Sequence, residues 1–167
     1  MSITVADSGI NYVVTTPVNA DIDDLVISSS NTAIATIEQD EENPRKITVT
    51  GVATGEATIS ATLGELSATC TVTVNLPEAT AISWQHSSLT INENASVDNN
   101  VITVPENADI SNLEVTSSDT TVATVTPSVL NPRQIRISGL TAGTSNIVAT
   151  LGELTATCTL TVTGVSP

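Results

Sequence analysis

Few side chains in this sequence are equipped for reaction chemistry, and their spacing narrows the options further. His86 is the single histidine of 167 residues and sits in the polar run Gln85-His86-Ser87-Ser88. A catalytic centre needs a nucleophile, a base and an orienting group held together, so His86 is expected to be a solvated surface residue and the protein to be no enzyme. Two acidic runs, Asp21-Ile22-Asp23-Asp24 and Asp40-Glu41-Glu42-Asn43, offer hard oxygen donors of the kind calcium takes, without EF-hand spacing. Solvated loops are the expectation, with no metal and no cofactor. The four cations, Arg45, Lys46, Arg133 and Arg136, face 18 acids for a net charge of −14. That balance excludes nucleic acid and anionic membrane as partners, because both demand a basic footprint. Sugar recognition by stacking is equally poorly served, since Trp84 and Tyr12 are the only aromatics and there is no Phe.

The elements that would position these groups come from a repeat. Leu63-Gly64-Glu65-Leu66-Ser67-Ala68-Thr69-Cys70-Thr71 returns 88 residues later as Leu151-Gly152-Glu153-Leu154-Thr155-Ala156-Thr157-Cys158-Thr159. The same offset carries Asn43-Pro44-Arg45 onto Asn131-Pro132-Arg133, and Gly51 and Gly55 onto Gly139 and Gly143. From Pro17 to Val74 the copies align without a gap, with 30 identities in 58 positions. Self-similarity of this kind marks duplicated structural units. Two domains are therefore expected, residues 1–77 and 78–167. The two cysteines fall at one position of two different domains, so no bridge within a domain is possible, and both are expected as small buried side chains.

Within each copy apolar residues alternate with Thr and Ser, the period of a half-buried strand. Thr, Val and Ile number 29, 19 and 15, and β-branched residues of this kind suit a pleated sheet. Ala57, Ile59, Ala61 and Leu63 lead into Gly64-Glu65, a two-residue loop with glycine first that suits a type II′ turn, and Leu66, Ala68, Cys70, Val72 and Val74 lead out. Ile47 to Gly51, Leu25 to Ser29 and Ala33 to Ile37, with their counterparts in copy two, complete the set. Turn signals at short intervals and no helical period predict an all-β fold of antiparallel sandwiches.

Three stretches carry a resemblance to a known family: Ser28-Ser29-Ser30-Asn31-Thr32-Ala33-Ile34-Ala35-Thr36-Ile37, then Val49-Thr50-Gly51-Val52-Ala53-Thr54-Gly55-Glu56-Ala57-Thr58-Ile59, then Ala68 to Val74. They and their copy-two equivalents closely resemble the bacterial immunoglobulin-like group 2 domain. The resemblance implies two tandem Ig-like Greek-key β-sandwich domains, a fold used as spacer or binding module in bacterial surface proteins, extracellular enzymes and phage virion proteins. The sequence departs from the family in the strand before the Ser-Ser motif, where a Trp is common and Val26-Ile27-Ser28 and Val115-Thr116-Ser117 stand here.

Copy two opens with Thr80-Ala81-Ile82-Ser83-Trp84 before Ser88 to Ile91, and Ile91 maps onto Ile3. Copy one thus lacks a counterpart of Ala81 to Trp84. An unpaired sheet edge is a template for strand addition, so another chain is expected to cover that edge at residues 3–5, with a loop or the linker as the competing cover. Ile3, Val5 and Trp84 are the candidate interface residues, Trp84 being placed at the domain junction. The four cations lie at equivalent strands and are expected to pair across strands with the acidic surface.

The start, Met1-Ser2-Ile3-Thr4-Val5, has no basic or apolar leader region, Thr163-Gly164-Val165-Ser166-Pro167 offers no anchor, and no apolar run nears the ~20 residues of a membrane helix. Read as a whole gene product, the chain is expected to be made in the cytoplasm and not to insert in a membrane. The expected function is structural: a bacteriophage virion component, as capsid decoration or auxiliary protein, with a capsid or other virion protein as partner. The alternative is a piece of a bacterial cell-surface adhesin or stalk meeting a host surface protein. Residues 1–78 carry 11 acids and two bases, and residues 79–167 seven and two, so the more acidic copy is also the one with the missing strand.

Overall fold

The alternation of Thr with Val, Ile and Ala along most of the sequence builds strands because successive side chains point to opposite faces. The computed structural model describes residues 1–164, and among them it has strands and turns and no helix. The last three residues of the domain read from the sequence as 78–167, and of the C-terminal tail, lie outside the described residues. The chain divides into two compact units, Met1–Pro77 and Glu78–Pro167.

Unit 1 contains β1 (Ser2–Thr4), β2 (Ser8–Tyr12), β3 (Val26–Ser29), β4 (Ala35–Gln39), β5 (Lys46–Gly51), β6 (Gly55–Leu63) and β7 (Leu66–Asn75). One sheet runs β1-β7-β6-β3 and the other β2-β5-β4. Unit 2 contains β8 (Ala81–Trp84), β9 (Ser88–Asn92), β10 (Ser96–Val104), β11 (Leu113–Ser117), β12 (Ala123–Pro127), β13 (Gln134–Gly139), β14 (Gly143–Leu151) and β15 (Leu154–Thr163). Its sheets run β9-β15-β14-β11 and β8-β10-β13-β12. The 88-residue offset superimposes β1 to β7 on β9 to β15 in order, leaving β8 without a partner in unit 1.

In each unit the two sheets face one another across an aliphatic core. Unit 1 buries Ile3, Ala35, Ile47, Val49, Ala57, Ile59, Val72 and Val74. Unit 2 buries Ala123, Ile135, Ile137, Ile147, Leu160 and Val162 at equivalent positions, with Ser145 in place of Ala57 and Ile91 partly buried, and adds Trp84, Val101, Val122, Ala149 and Cys158. Each Val, Leu or Ile among them contributes roughly 1.5–3 kcal/mol of transfer free energy when fully buried. The hairpins β6–β7 and β14–β15 pair Leu63 with Leu66 and Leu151 with Leu154. Gly64 and Gly152 turn them at φ 58° and 59°; the glutamates that follow keep negative φ, the pattern of a type II′ turn. Gly51 is required by proximity, since a Cβ there would lie 2.6 Å from the Thr4 carbonyl oxygen. Thr16-Pro17 and Val104-Pro105 are both cis.

The sequence reading needs correcting on which strand edge lies open. Ile3 is not on a free edge: β1 pairs in parallel with β7, Ser2 to Thr73 through Thr4 to Asn75, and Ile3 is 7% exposed. Val5 packs against the same core, and its N–H donates to the Asn75 carbonyl at 2.9 Å. Trp84 is likewise a core residue of unit 2, 7% exposed, and its indole N–H donates to the Ala156 carbonyl at 3.1 Å. The reason is pairing. The strand unit 1 lacks, β8, does not lie beside β9; it pairs with the second half of β10, Val101 to Trp84 through Val104 to Ala81. Its absence therefore uncovers the counterpart of that half-strand, Val13 to Thr16.

Candidate functional site

The uncovered segment is held in place by its neighbours. The Val13 N–H donates to the Arg45 carbonyl at 2.8 Å, as the Val101 N–H does to that of Arg133. The Arg45 guanidinium donates to Thr15 Oγ1 (2.6 Å) and to the Ala20 carbonyl (2.8 Å). Arg133 makes the same pair of bonds to Thr103 Oγ1 and the Ala108 carbonyl, both 2.8 Å. These two arginines brace the loop after the edge and form no ion pair among the described residues. The cross-strand pairing expected of the cations holds for Arg136, which meets Asp98 at 3.1 Å across β13 and β10. Lys46 meets Asp40 at 2.7 Å. That contact holds the Asp40 carboxyl below its ordinary range and raises the Lys46 ammonium.

Around this edge lies an open trough of about 200 Å³, walled by Val13 to Thr16 on one side and by Ala61, Leu63, Leu66 and Ala68 of the β6–β7 hairpin on the other. The corresponding space in unit 2 is filled by β8. The consequences show position by position. Ala149 and Cys158 are fully buried, whereas Ala61 and Cys70 are half-buried. Leu66 is 73% exposed and Val14 81%. The expectation that both cysteines are buried thus holds for Cys158, whose thiol pKa is pushed up by burial, and not for Cys70. Both are free thiols.

One polar residue inside this edge escaped the sequence reading. Asn99 is fully buried in the apolar face of β10. Its Oδ1 accepts from the His86 N–H at 3.2 Å and its Nδ2 donates to the His86 carbonyl at 2.9 Å. It grips the chain where β8 gives way to β9, so the exposed His86 contributes its backbone and not its imidazole. Asn11 is the equivalent in unit 1. Its Oδ1 accepts from the Tyr12 N–H at 2.9 Å, and among the described residues its Nδ2 donates to nothing. The signal was present in the sequence as an asparagine at a core-facing position, repeated at the 88-residue offset.

A larger hollow of about 490 Å³ in unit 2 is lined by Glu78, Asp109, Glu153 and polar or aliphatic neighbours, a set without a nucleophile and base. Among the described residues no group of three or more His, Cys, Asp or Glu side chains is placed to hold a metal ion, and no helix is long and apolar enough to cross a membrane.

Comparison with known proteins agrees with this architecture. The family model described as bacterial Ig-like domain (group 2) matches twice, at residues 11–74 and 78–162. A search of curated proteins found no match. Among solved structures, surface layer protein SbsC, domains 1–6, is 22% identical with a TM-score of 0.49, over 86% of this chain and 20% of that one. The chain therefore spans about a fifth of that S-layer structure's length. SbsC domains 4 and 5 are 21% identical, TM-score 0.47, over 84% and 70% of the two chains. The structure of Titin-A168169 is 8% identical with a TM-score of 0.59, over 99% of this chain and 94% of that one, and shows a shared fold.

Proposed function

The chain belongs to the family of bacterial Ig-like domains of group 2, and from that premise we propose that it is a non-enzymatic structural and interaction protein, working as a decoration or auxiliary protein of a bacteriophage virion. The observation that carries the reading is the acidic surface of two tandem sandwiches, which suits a module that stays apart from its own copies until it docks on an assembly. The net charge of −14 keeps free copies apart before docking.

Co-sedimentation with purified phage particles, followed by peptide identification, tests the setting. The expected result is a fixed stoichiometry per particle, and consistent absence from particles would overturn it. A bacterial cell-surface stalk is the second reading. It is favoured by the duplication itself, 30 identities in 58 positions, since stalks lengthen by copying one unit. Protease shaving of intact cells that releases peptides of this chain would select it.

A further inference from the structure

We propose that one end of unit 2, where the loop after β10, the turn between β12 and β13 and the tip of the β14–β15 hairpin converge, binds a segment of a different protein in which an apolar side chain stands next to a lysine or arginine. The proposal rests on the interaction reading above and names its surface and the chemistry of its partner.

Two hollows meet at this end, at Ser111. One, of about 250 Å³, is apolar, with Ile110, Leu113, Val115, Pro127 and Pro132 in its wall. The other, of about 490 Å³, has the carboxylates of Asp109 and Glu153 in its wall. Between Pro127 and Pro132 in the chain stand Val129 and Leu130, each 97% exposed and the most exposed large apolar side chains among the described residues. Their turn is closed by its own backbone. The Ser128 N–H donates to the Gln134 carbonyl at 2.9 Å and the Gln134 N–H to the Asn131 carbonyl at 2.8 Å. The Arg133 N–H donates to Asn131 Oδ1 at 3.1 Å. The Arg133 guanidinium then ties this turn to the Ala108 carbonyl of the neighbouring loop at 2.8 Å. A surface braced in this way gives up little freedom when it docks, which favours binding.

Unit 1 shows that the fold does not require such a surface. At the same places it has Gln39, Asp40, Glu41 and Glu42 for Pro127 to Leu130, and Asp23 and Asp24 for Ser111 and Asn112. Five acids of unit 1 thus give way to neutral or apolar side chains at one end of unit 2. The hollow at that place in unit 1 is lined by Asp23, Asp40 and Glu41. Adjacent aliphatics held in water are unfavourable and mark contact sites, and the turn bonds listed above use only backbone and Asn131, so Val129 and Leu130 serve no purpose within it.

The partner's chemistry follows from the two hollows. An apolar side chain fills the one beside Val129 and Leu130, and a neighbouring cation reaches Asp109 and Glu153. A second copy of this chain is a poor occupant, because at a net charge of −14 it repels its own kind.

The test uses the full chain, isotope-labelled for NMR, and a short peptide of alternating leucine and lysine as the probe. Two control peptides carry glutamate in place of lysine or glycine in place of leucine. Backbone shift changes on titration should centre on Ser111, Val129, Leu130 and Glu153, and the leucine–lysine peptide should bind at least about tenfold more tightly than either control. Val129→Glu with Leu130→Glu gives unit 2 the residues of unit 1, alters only exposed side chains and should weaken binding at least about tenfold. Glu153→Gln should weaken it less and reduce its dependence on salt. Four results would overturn the proposal. The first is no shift at millimolar peptide. The second is equal binding of the glycine control, or shifts centred on Asp40 to Glu42 of unit 1, which would reduce the effect to charge attraction. The third is self-association abolished by the double variant, which would make a second copy the occupant. The fourth is flotation with phosphatidylcholine vesicles that the double variant loses, which would make a lipid surface the occupant. Because the peptide probes the surface directly, binding by a chain absent from virions would leave this inference standing while removing the virion setting.

Discussion

Units 1 and 2 are a natural pair for comparison, two copies of one sandwich that differ chiefly by a single short strand. The copies share the hairpin, its glycine turn, the arginine brace and the order of seven strands. They differ in whether Ala81–Trp84 has an equivalent. That one difference shows across the fold: Val101, Ala149 and Cys158 are sealed in unit 2, whereas their counterparts Val13, Ala61 and Cys70 are half-buried in unit 1. In unit 2 that strand is a lid that covers the core with Trp84, whose indole N–H donates to the Ala156 carbonyl.

Removing the lid of unit 2 should have the largest effect. Trp84→Ala is expected to cost unit 2 about 3–5 kcal/mol and to make Cys158 react with thiol reagents at a rate approaching that of Cys70. Denaturation followed by far-UV circular dichroism, with thiol labelling in parallel, checks both. An unmoved transition with Cys158 still protected would mean that β8 is not what closes the unit. Next in size is the asparagine pair. Asn99→Ala leaves the His86 N–H and carbonyl without their partner and should destabilise unit 2 by roughly 1–3 kcal/mol. Asn11→Ala should cost unit 1 no more than about 0.5 kcal/mol. Equal losses would erase the distinction between a filled and an open edge.

A smaller difference lies in a turn. Ala6 and Asn94 occupy the same position at φ 66° and 60°, a left-handed conformation that asparagine adopts readily and alanine only at a cost of about 1 kcal/mol. Ala6→Gly should stabilise unit 1 by about 1 kcal/mol, and Asn94→Ala should weaken unit 2 by a comparable amount in the same denaturation assay. The smallest contrast is in acid. Asp40 is held low by Lys46 in unit 1, and Asp119 is held low by the hydroxyl and N–H of Thr121 in unit 2. A carboxyl with a depressed folded pKa adds stability above its unfolded value and loses it as pH falls through the folded one. Each contribution is therefore complete at neutral pH and fades below about pH 4. Asp40→Asn should flatten the acid side of the stability profile for unit 1 alone. Asn31, the counterpart of Asp119, makes its turn with the Ala33 N–H at 3.0 Å and carries no such dependence.

Much of this was legible in the sequence because it is local. Period-2 alternation marks strands, Gly64-Glu65 marks a turn, and a repeat of Asn43-Pro44-Arg45 marks equivalent places in two units. The missing strand was also legible, from the mapping of Ile91 onto Ile3. Its position in space was not. Pairing of β8 with β10 is a non-local choice, and the lost strand exposes residues ten further along the chain than the gap suggests. Trp84 was misplaced for the same reason: an aromatic near a linker reads as a junction residue until the sheet that folds over it is known. The function of Asn99 was hidden because its partner is the backbone of His86, and backbone groups leave no mark in a sequence.

The parallel pairing of the first and last strands has a mechanical meaning. Force pulling the two ends of a unit apart drags β1 past β7, or β9 past β15, along their length, so the bonds between them are loaded in shear and must fail together. Unit 2 spreads this load over five residue pairs, Thr159 with Ser88 through Thr163 with Asn92.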